Sequence, residues 1–244
     1  MSRPFDDHSG LHARFLRADD VPALLALERQ QWQADQAADA LSLERRIQAY
    51  PDLSIGVFCR STGQALASLF LLPFAEVHLK FPLKWHTCAQ EAGNIPAERP
   101  DAQASDTQAL FGLSFTSVSP KAGDAVFRFF WPLAIKAGWQ RIYLGSPLPG
   151  FRRALERQPG LSIQAYVLKK TRCQHALPVD PQLRYYHRRG FTEIVRLEEN
   201  YFPHPPSLDY GVILKGEIPL ARFAPILRKL PIAVLEMIGR RLAI

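Results

Sequence analysis

The sequence predicts an α/β domain, and three observations predict it. Residues 109–118, ALFGLSFTSV, read as a strand that leads through a turn into a helical pattern and then a second buried strand, a unit with the length of a crossover. Residues 53–59 and 66–72 read as two further strands around Ser61-Thr62-Gly63, which makes a hairpin. A chain of 244 residues, 47% of them hydrophobic, is long enough to bury the core such a sheet needs.

The elements follow in order. Residues 19–33 carry Val21, Leu24, Leu25, Leu27 and Trp32 near helical spacing, with Asp19 or Asp20 as N-cap before Pro22. A second helix is expected over 41–50, ahead of the hairpin. Residues 86–108, rich in Ala, Pro, Asp and Gln, read as a long excursion, and long loops often lie over sites. After the strand at 109–118, SPKAGD leads into a helix over about 125–137, ended by Gly138 and containing Pro132, which is expected to kink it or delay its start. The buried strand at 141–144 follows. Asp180-Pro181 then opens a short helix ending at Gly190, and residues 193–196 and 211–215 read as closing strands.

Residues 218–244 differ in character and divide the chain into a domain at 1–217 and a tail at 218–244. The tail is apolar, carries Arg222, Arg228, Lys229, Arg240 and Arg241, and is interrupted by Pro225 and Pro231. It is too broken and too charged for a transmembrane helix. Two readings stand: a pair of short helices packed on the core, or a basic amphipathic element that lies on a membrane or docks a partner.

Thirty basic residues against 23 acidic ones give a net charge of +7, which favours an anionic partner: a nucleotide-containing cofactor, an acidic carrier protein, nucleic acid or a membrane surface. No zinc finger, RNP-like strand or long basic run supports nucleic acid. Cys59, Cys88 and Cys173 have neither paired nor metal-ligand spacing, so free thiols and no metal are expected. MSRPFDDHSGLHARF joins no basic segment to an apolar run, so no cleavable leader is expected, and the protein is expected in the cytoplasm.

Val118-Ser119-Pro120 followed by Gly123, the helix end AIKAGWQRI and the helix YYHRRGF complete the order hairpin, long strand, glycine turn, helix, buried strand, short helix ending in Gly-Phe. That order resembles the GNAT superfamily of acyltransferases over roughly residues 12 to 215. ERRIQAYP, LGSPLPGF and DPQLRYYHRRGF with NYFPHPPSLDYGVIL are similar to a narrower branch, which includes the GNAT-like chain-initiation domains of curacin-type polyketide synthases and uncharacterised acetyltransferases. The resemblance implies a mixed central sheet with splayed strands, flanked by helices, here with a C-terminal helical appendage.

It also implies a thioester co-substrate, acyl-CoA or the acyl-phosphopantetheine of an acidic carrier protein, and an unknown small-molecule acceptor with an amine, hydroxyl or thiol. Ser117, Val118, Ser119, Lys121, Gly123, Asp124 and Arg128 would hold it, because a turn entering a helix presents free N–H groups and the positive end of the dipole to pyrophosphate. The GNAT turn usually reads Gln/Arg-x-x-Gly-x-Gly/Ala, whereas SPKAGDA is several residues shorter and keeps one glycine. Either Lys121, Arg128 and the remaining amides still hold CoA, or the donor is a carrier-bound pantetheine without a nucleotide, or the site no longer works.

By the same resemblance Tyr186, four residues before the Gly of Gly-Phe, is the acid that protonates the leaving thiolate. His187 occupies the place next to one where the narrower branch often has His, and adjacent helical residues point about 100° apart. Thr116 matches the strand threonine that initiation domains use with a histidine. Trp32 resembles an aromatic residue lining the acyl pocket, and Phe151 and Arg152 follow a loop that would shape its acyl end. Neither ALFGLSFTSVS nor RIYLGSPLPG holds a carboxylate, which leaves Glu76 and His78 on a neighbouring strand, or His86, as candidate bases. Acyl transfer is the leading expectation. The alternatives are decarboxylation of a malonyl thioester by Thr116 and a histidine, which needs no base, and a non-catalytic thioester or carrier-protein binding module.

Overall fold

A computed structural model of the chain describes residues 5–6, 10–32, 36–85, 108–172 and 176–242. The expected excursion at 86–108 falls almost wholly outside the described residues, and with it His86 and Cys88, as does Cys173.

Among the described residues, eight strands form one sheet in the order β1-β2-β3-β4-β5-β6-β8-β7. They are β1 (Phe5–Asp6), β2 (Leu11–Phe15), β3 (Ser54–Cys59), β4 (Ala65–Pro73), β5 (Ala109–Ser117), β6 (Arg141–Pro147), β7 (Phe191–Glu198) and β8 (Gly211–Glu217). Every neighbouring pair is antiparallel except β5 and β6, which the helical crossover makes parallel. The helices are α1 (Val21–Gln31), α2 (Ala40–Ala49), α3 (Pro120–Ala137), α4 (Phe151–Arg157), α5 (Ile163–Leu168), α6 (Pro181–His187), α7 (Ala224–Leu227) and α8 (Ile232–Arg241).

Period-two alternation sends the strand side chains to the two faces of the sheet, where they join three clusters of buried residues. Leu69, Leu71, Leu110, Ile142 and Leu144 point towards α3, where Val126, Phe130 and Ile135 meet them. Phe58, Phe70 and Leu113 point the other way, onto Leu24 and Leu27 of α1 and Leu43 and Ile47 of α2. Full burial of each such side chain contributes roughly 1.5–3 kcal/mol before entropy is counted.

α3 begins at Pro120, earlier than expected, because Ser119 caps it through a 3.2 Å bond from the Ala122 N–H and Pro120 occupies the first turn. The SPKAGD turn is therefore helix. Gly123 sits inside it, where a Cβ would lie 3.1 Å from Phe115 Cζ. The helix runs through Pro132, which is buried beside Trp131. α4 and α5 fill a stretch in which no helices were expected.

The tail packs on α3. Trp131 Nε1 donates to Pro219 O at 2.8 Å, Leu235 is fully buried, and Gly239 of α8 lets the Trp131 ring approach closely. Among the described residues no helix is long and apolar enough to cross a membrane.

Candidate active site

Strands β5 and β6 pair only from Ala109↔Arg141 to Gly112↔Leu144. Beyond Gly112, β5 continues against β4 as far as Ser117, and Gly145 to Pro147 continue against β8, so the two strands part. Among the described residues, the edge of β5 that faces the gap has no strand partner there.

A cavity of about 590 Å³ threads this gap from one face of the sheet to the other. On the α3 and α6 side it is walled by Leu69, Ile142, Phe127, Gln182 and Tyr186. On the opposite side lie Glu28 and Trp32 of the first helix and its end, Arg46 of α2, Trp85, and Tyr201, Phe202 and His204 of the β7–β8 loop.

Local structure fixes these groups. The Asp180 carboxylate, itself buried, accepts from the Gln182 and Leu183 N–H groups as N-cap of α6, and from Tyr166 Oη at 2.8 Å and the Gly150 N–H at 3.0 Å. One carboxylate thus ties α6, α5 and the β6–α4 loop together and sets where Tyr186 stands. Tyr201 crosses β6 at Gly145, where a Cβ would lie 1.5 Å from the phenol oxygen. Only glycine allows that crossing. Trp85 donates from Nε1 to Leu113 O at 3.3 Å and meets Phe202 edge to face, which closes the wall on that side.

Burial pushes the Tyr186 phenol up to about 12, so it stays protonated at neutral pH. Burial also holds the His204 imidazole below its ordinary value, against the opposing pull of Asp209, so it stays neutral. The Ser207 hydroxyl donates to His204 O at 3.0 Å and lies 2.9 Å from Nδ1. A hydroxyl that donates to the carbonyl can accept from Nδ1, which is the tautomer that leaves Nε2 basic.

No family model and no curated protein matches the sequence. Solved structures do. The chain is similar to the GphF GNAT-like decarboxylase in complex with isobutyryl-CoA, at 20% identity and a TM-score of 0.64 over 84% of this chain and 98% of that one. It is similar also to the loading GNATL domain of CurA from Lyngbya majuscula, at 16% identity and a TM-score of 0.66 over 85% and 98% of the two chains. This chain has the GNAT fold. A malonyl-CoA decarboxylase from Agrobacterium vitis shares it at 14% identity and a TM-score of 0.56, over 89% of this chain and 63% of that one.

Within the GNAT fold, the residues singled out from sequence separate. Tyr186 and Trp32 line the cavity. Thr116 is 2% exposed and lies behind the wall: its hydroxyl donates to Glu28 Oε1 at 2.7 Å and accepts from Trp32 Nε1 at 2.8 Å. Its one proton is committed, so it is not free to donate to a thioester oxygen. His187 ends α6 outside the cavity lining. Phe151 is buried against Tyr166 and Tyr210, and Arg152 donates to Pro205 O at 2.8 Å at the surface; neither lines the cavity, whereas Pro147 and Pro149 of the same loop do.

The proposed phosphate turn is also largely occupied. The Val118 N–H donates to Leu66 O at 3.0 Å, away from the gap, and the Ser117 hydroxyl donates to Ser119 O at 2.7 Å. Pro120 has no N–H, and the Ala122 and Gly123 N–H groups are held by Ser119, which leaves Lys121 N–H as the open amide of the first turn. Lys121 and Arg128 are exposed. Asp124 pairs with Arg189 at 3.2 Å, and Arg189 lies 3.8 Å over the Tyr185 ring, which in turn stacks on Phe115. These contacts bridge α3 and the end of α6.

Of the expected bases, Glu76 and His78 lie in a 3-10 helix after β4, not on a strand. Glu76 accepts from Tyr143 Oη at 2.6 Å and pairs with Arg141, and His78 meets Phe74 edge to face. Neither lines the cavity. The groups that do, Glu28, Arg46 and His204, were not singled out. Leu24, Glu28 and Trp32 share one face of α1 at four-residue spacing, and His204 stands inside NYFPHPPSLDYGV. Among the described residues no group of three or more His, Cys, Asp or Glu side chains is placed to hold a metal ion.

Proposed function

We propose that the cavity is the reaction chamber of a GNAT-type acyltransferase that takes an acyl thioester through the gap between β5 and β6. The observation that carries this reading is a protonated phenol, Tyr186, on one wall of a cavity that threads the parted strands, with a neutral imidazole, His204, on the other.

The pantetheine arm lies along the unpaired edge of β5 and pairs with it as an added strand. β5 N–H groups that point into the gap polarise the thioester carbonyl. An acceptor amine, hydroxyl or thiol enters from the α1–α2 side and gives its proton to His204 Nε2 as it attacks the carbonyl carbon. Collapse of the tetrahedral intermediate breaks the carbon–sulfur bond, and Tyr186 donates its proton to the departing sulfur. The occupied helix terminus and the Asp124–Arg189 bridge favour a donor held by its pantetheine arm, on CoA or on an acidic carrier protein, over one held by its pyrophosphate.

A second reading, loss of carbon dioxide from a malonyl thioester, is favoured by the likeness to the GphF and malonyl-CoA decarboxylase folds. The engaged Thr116 hydroxyl counts against it. Incubation with acetyl-, malonyl- and long-chain acyl-CoA and the same acyl groups on a carrier protein, followed by intact mass and free thiol, separates the readings. Thiol release that requires an acceptor supports transfer. Loss of carbon dioxide from malonyl thioester supports decarboxylation, and inertness towards every thioester leaves a binding module.

A further inference from the structure

Arg46 projects from α2 into the cavity wall and is 5% exposed. Among the described residues, burial and the distant charges of Glu28 and Asp39 act on its guanidinium, and no side chain accepts a hydrogen bond from it. Its carbon lies 5.7 Å from the centre of the Phe70 ring. Glu28 and Asp39 act on it through space without forming an ion pair. The Glu28 oxygens are taken by the Thr116 hydroxyl at 2.7 Å and the Ala38 N–H at 3.2 Å.

A guanidinium has five donors and stays charged at any ordinary pH, so a buried one that meets no acceptor among the described residues presents an open fork to the cavity it lines. Glu28 balances the charge of Arg46 across that space without filling its donors. A planar two-oxygen anion fits such a fork with two parallel bonds. The surrounding wall, Trp32, Trp85 and Leu113, suits the apolar stem that would carry such a group.

We infer that Arg46 binds a carboxylate carried by the substrate, on the side of the sheet opposite Tyr186. This rests on reading the cavity as the reaction chamber. The carboxylate sits either at the far end of a dicarboxylic acyl chain or on the acceptor, as in an amino acid.

Trp32 and Trp85 line the cavity, so tryptophan emission reports ligand entry directly. Glutarate and its uncharged counterpart glutaramide are titrated into wild-type protein, Arg46→Lys and Arg46→Gln, with circular dichroism to establish folding. Lysine keeps a charge opposite Glu28 and loses the fork. The expected result is a wild-type preference for glutarate of at least about tenfold, and a loss of roughly tenfold to a hundredfold in Arg46→Lys. Thiol release from succinyl-CoA against butyryl-CoA, and from butyryl-CoA with glycine against ethylamine, then assigns the carboxylate to the acyl chain or to the acceptor. If glutarate binds through Arg46 but no thioester is consumed, the anion site stands and the acyltransfer reading falls. Equal wild-type affinity for glutarate and glutaramide overturns the inference whatever the variants do, and so does unchanged glutarate affinity in a folded Arg46→Lys protein.

Discussion

Thr116 Oγ1 on β5 donates to Glu28 Oε1 on α1 at 2.7 Å, a contact between residues 88 apart in sequence. Because the same oxygen accepts from Trp32 Nε1, the hydroxyl joins the central strand to both the middle and the end of the first helix. Thr116→Val takes the acceptor from a half-buried indole N–H and removes one partner from a buried carboxylate, and is expected to destabilise the fold by about 1–3 kcal/mol, whereas Thr116→Ser stays within about 1 kcal/mol of wild type. Urea midpoints check this. A silent valine variant would show that the network does not anchor α1 to β5.

Gly145→Ala places a methyl where the Tyr201 phenol crosses β6. The β7–β8 loop must then lift away, taking His204 with it. Overpacking of this kind costs about 1–3 kcal/mol, and here the activity loss is expected to exceed the stability loss because the loop carries a cavity wall. Thermal unfolding and turnover of the same sample compare the two.

His204 binds a proton less readily in the folded protein than in the unfolded chain, because burial lowers its value from 6.5. The stability this group contributes is full above that unfolded value and is lost as pH falls through the lower folded one. The acid limb of kcat/KM is expected to fall below pH 6.5, and His204→Asn to remove that limb while lowering the rate about a hundredfold or more. A limb that survives in His204→Asn assigns the base elsewhere, with Glu28 next in line.

Acyl-pantetheine and acyl-CoA are expected to show KM values within about tenfold of each other, since the first turn of α3 has so few open N–H groups. Lys121→Ala is expected to change either KM by less than about threefold, as an exposed charge contributes under about 1 kcal/mol. Steady-state kinetics with both donors tests this. A CoA preference of a hundredfold or more would show that Asp124 and Arg189 part to admit the nucleotide.

The strand–helix–strand centre of the fold was legible because β5, α3 and β6 are long and strongly periodic. The start of α3 was misplaced because Gly123 reads as a turn residue, although Ser119 and Pro120 carried a cap signal. α4 and α5, short helices of seven and six residues, have too few turns for a period to emerge. In the site, Tyr186 could be read from its place before Gly-Phe, a local feature. Glu28, Arg46 and His204 become neighbours only when α1, α2 and the β7–β8 loop close over the gap, and no local spacing announces that. Thr116 was noticed as a polar group in an apolar strand, but its partner 88 residues earlier was not visible, so its commitment to Glu28 emerged only in the fold.

In the proposed reaction Tyr186 serves a thioester lying between β5 and β6. Thiol release from acyl-pantetheine and acyl-CoA by wild-type protein and Tyr186→Phe, with the donor saturating and the acceptor present, tests it most directly. Because burial keeps the phenol protonated up to about 12, the wild-type rate is expected not to fall between pH 8 and about 10 through this group, and the Tyr186→Phe rate to be lower by about a hundredfold to ten thousandfold with donor KM little changed. Full turnover by a folded Tyr186→Phe protein would contradict it.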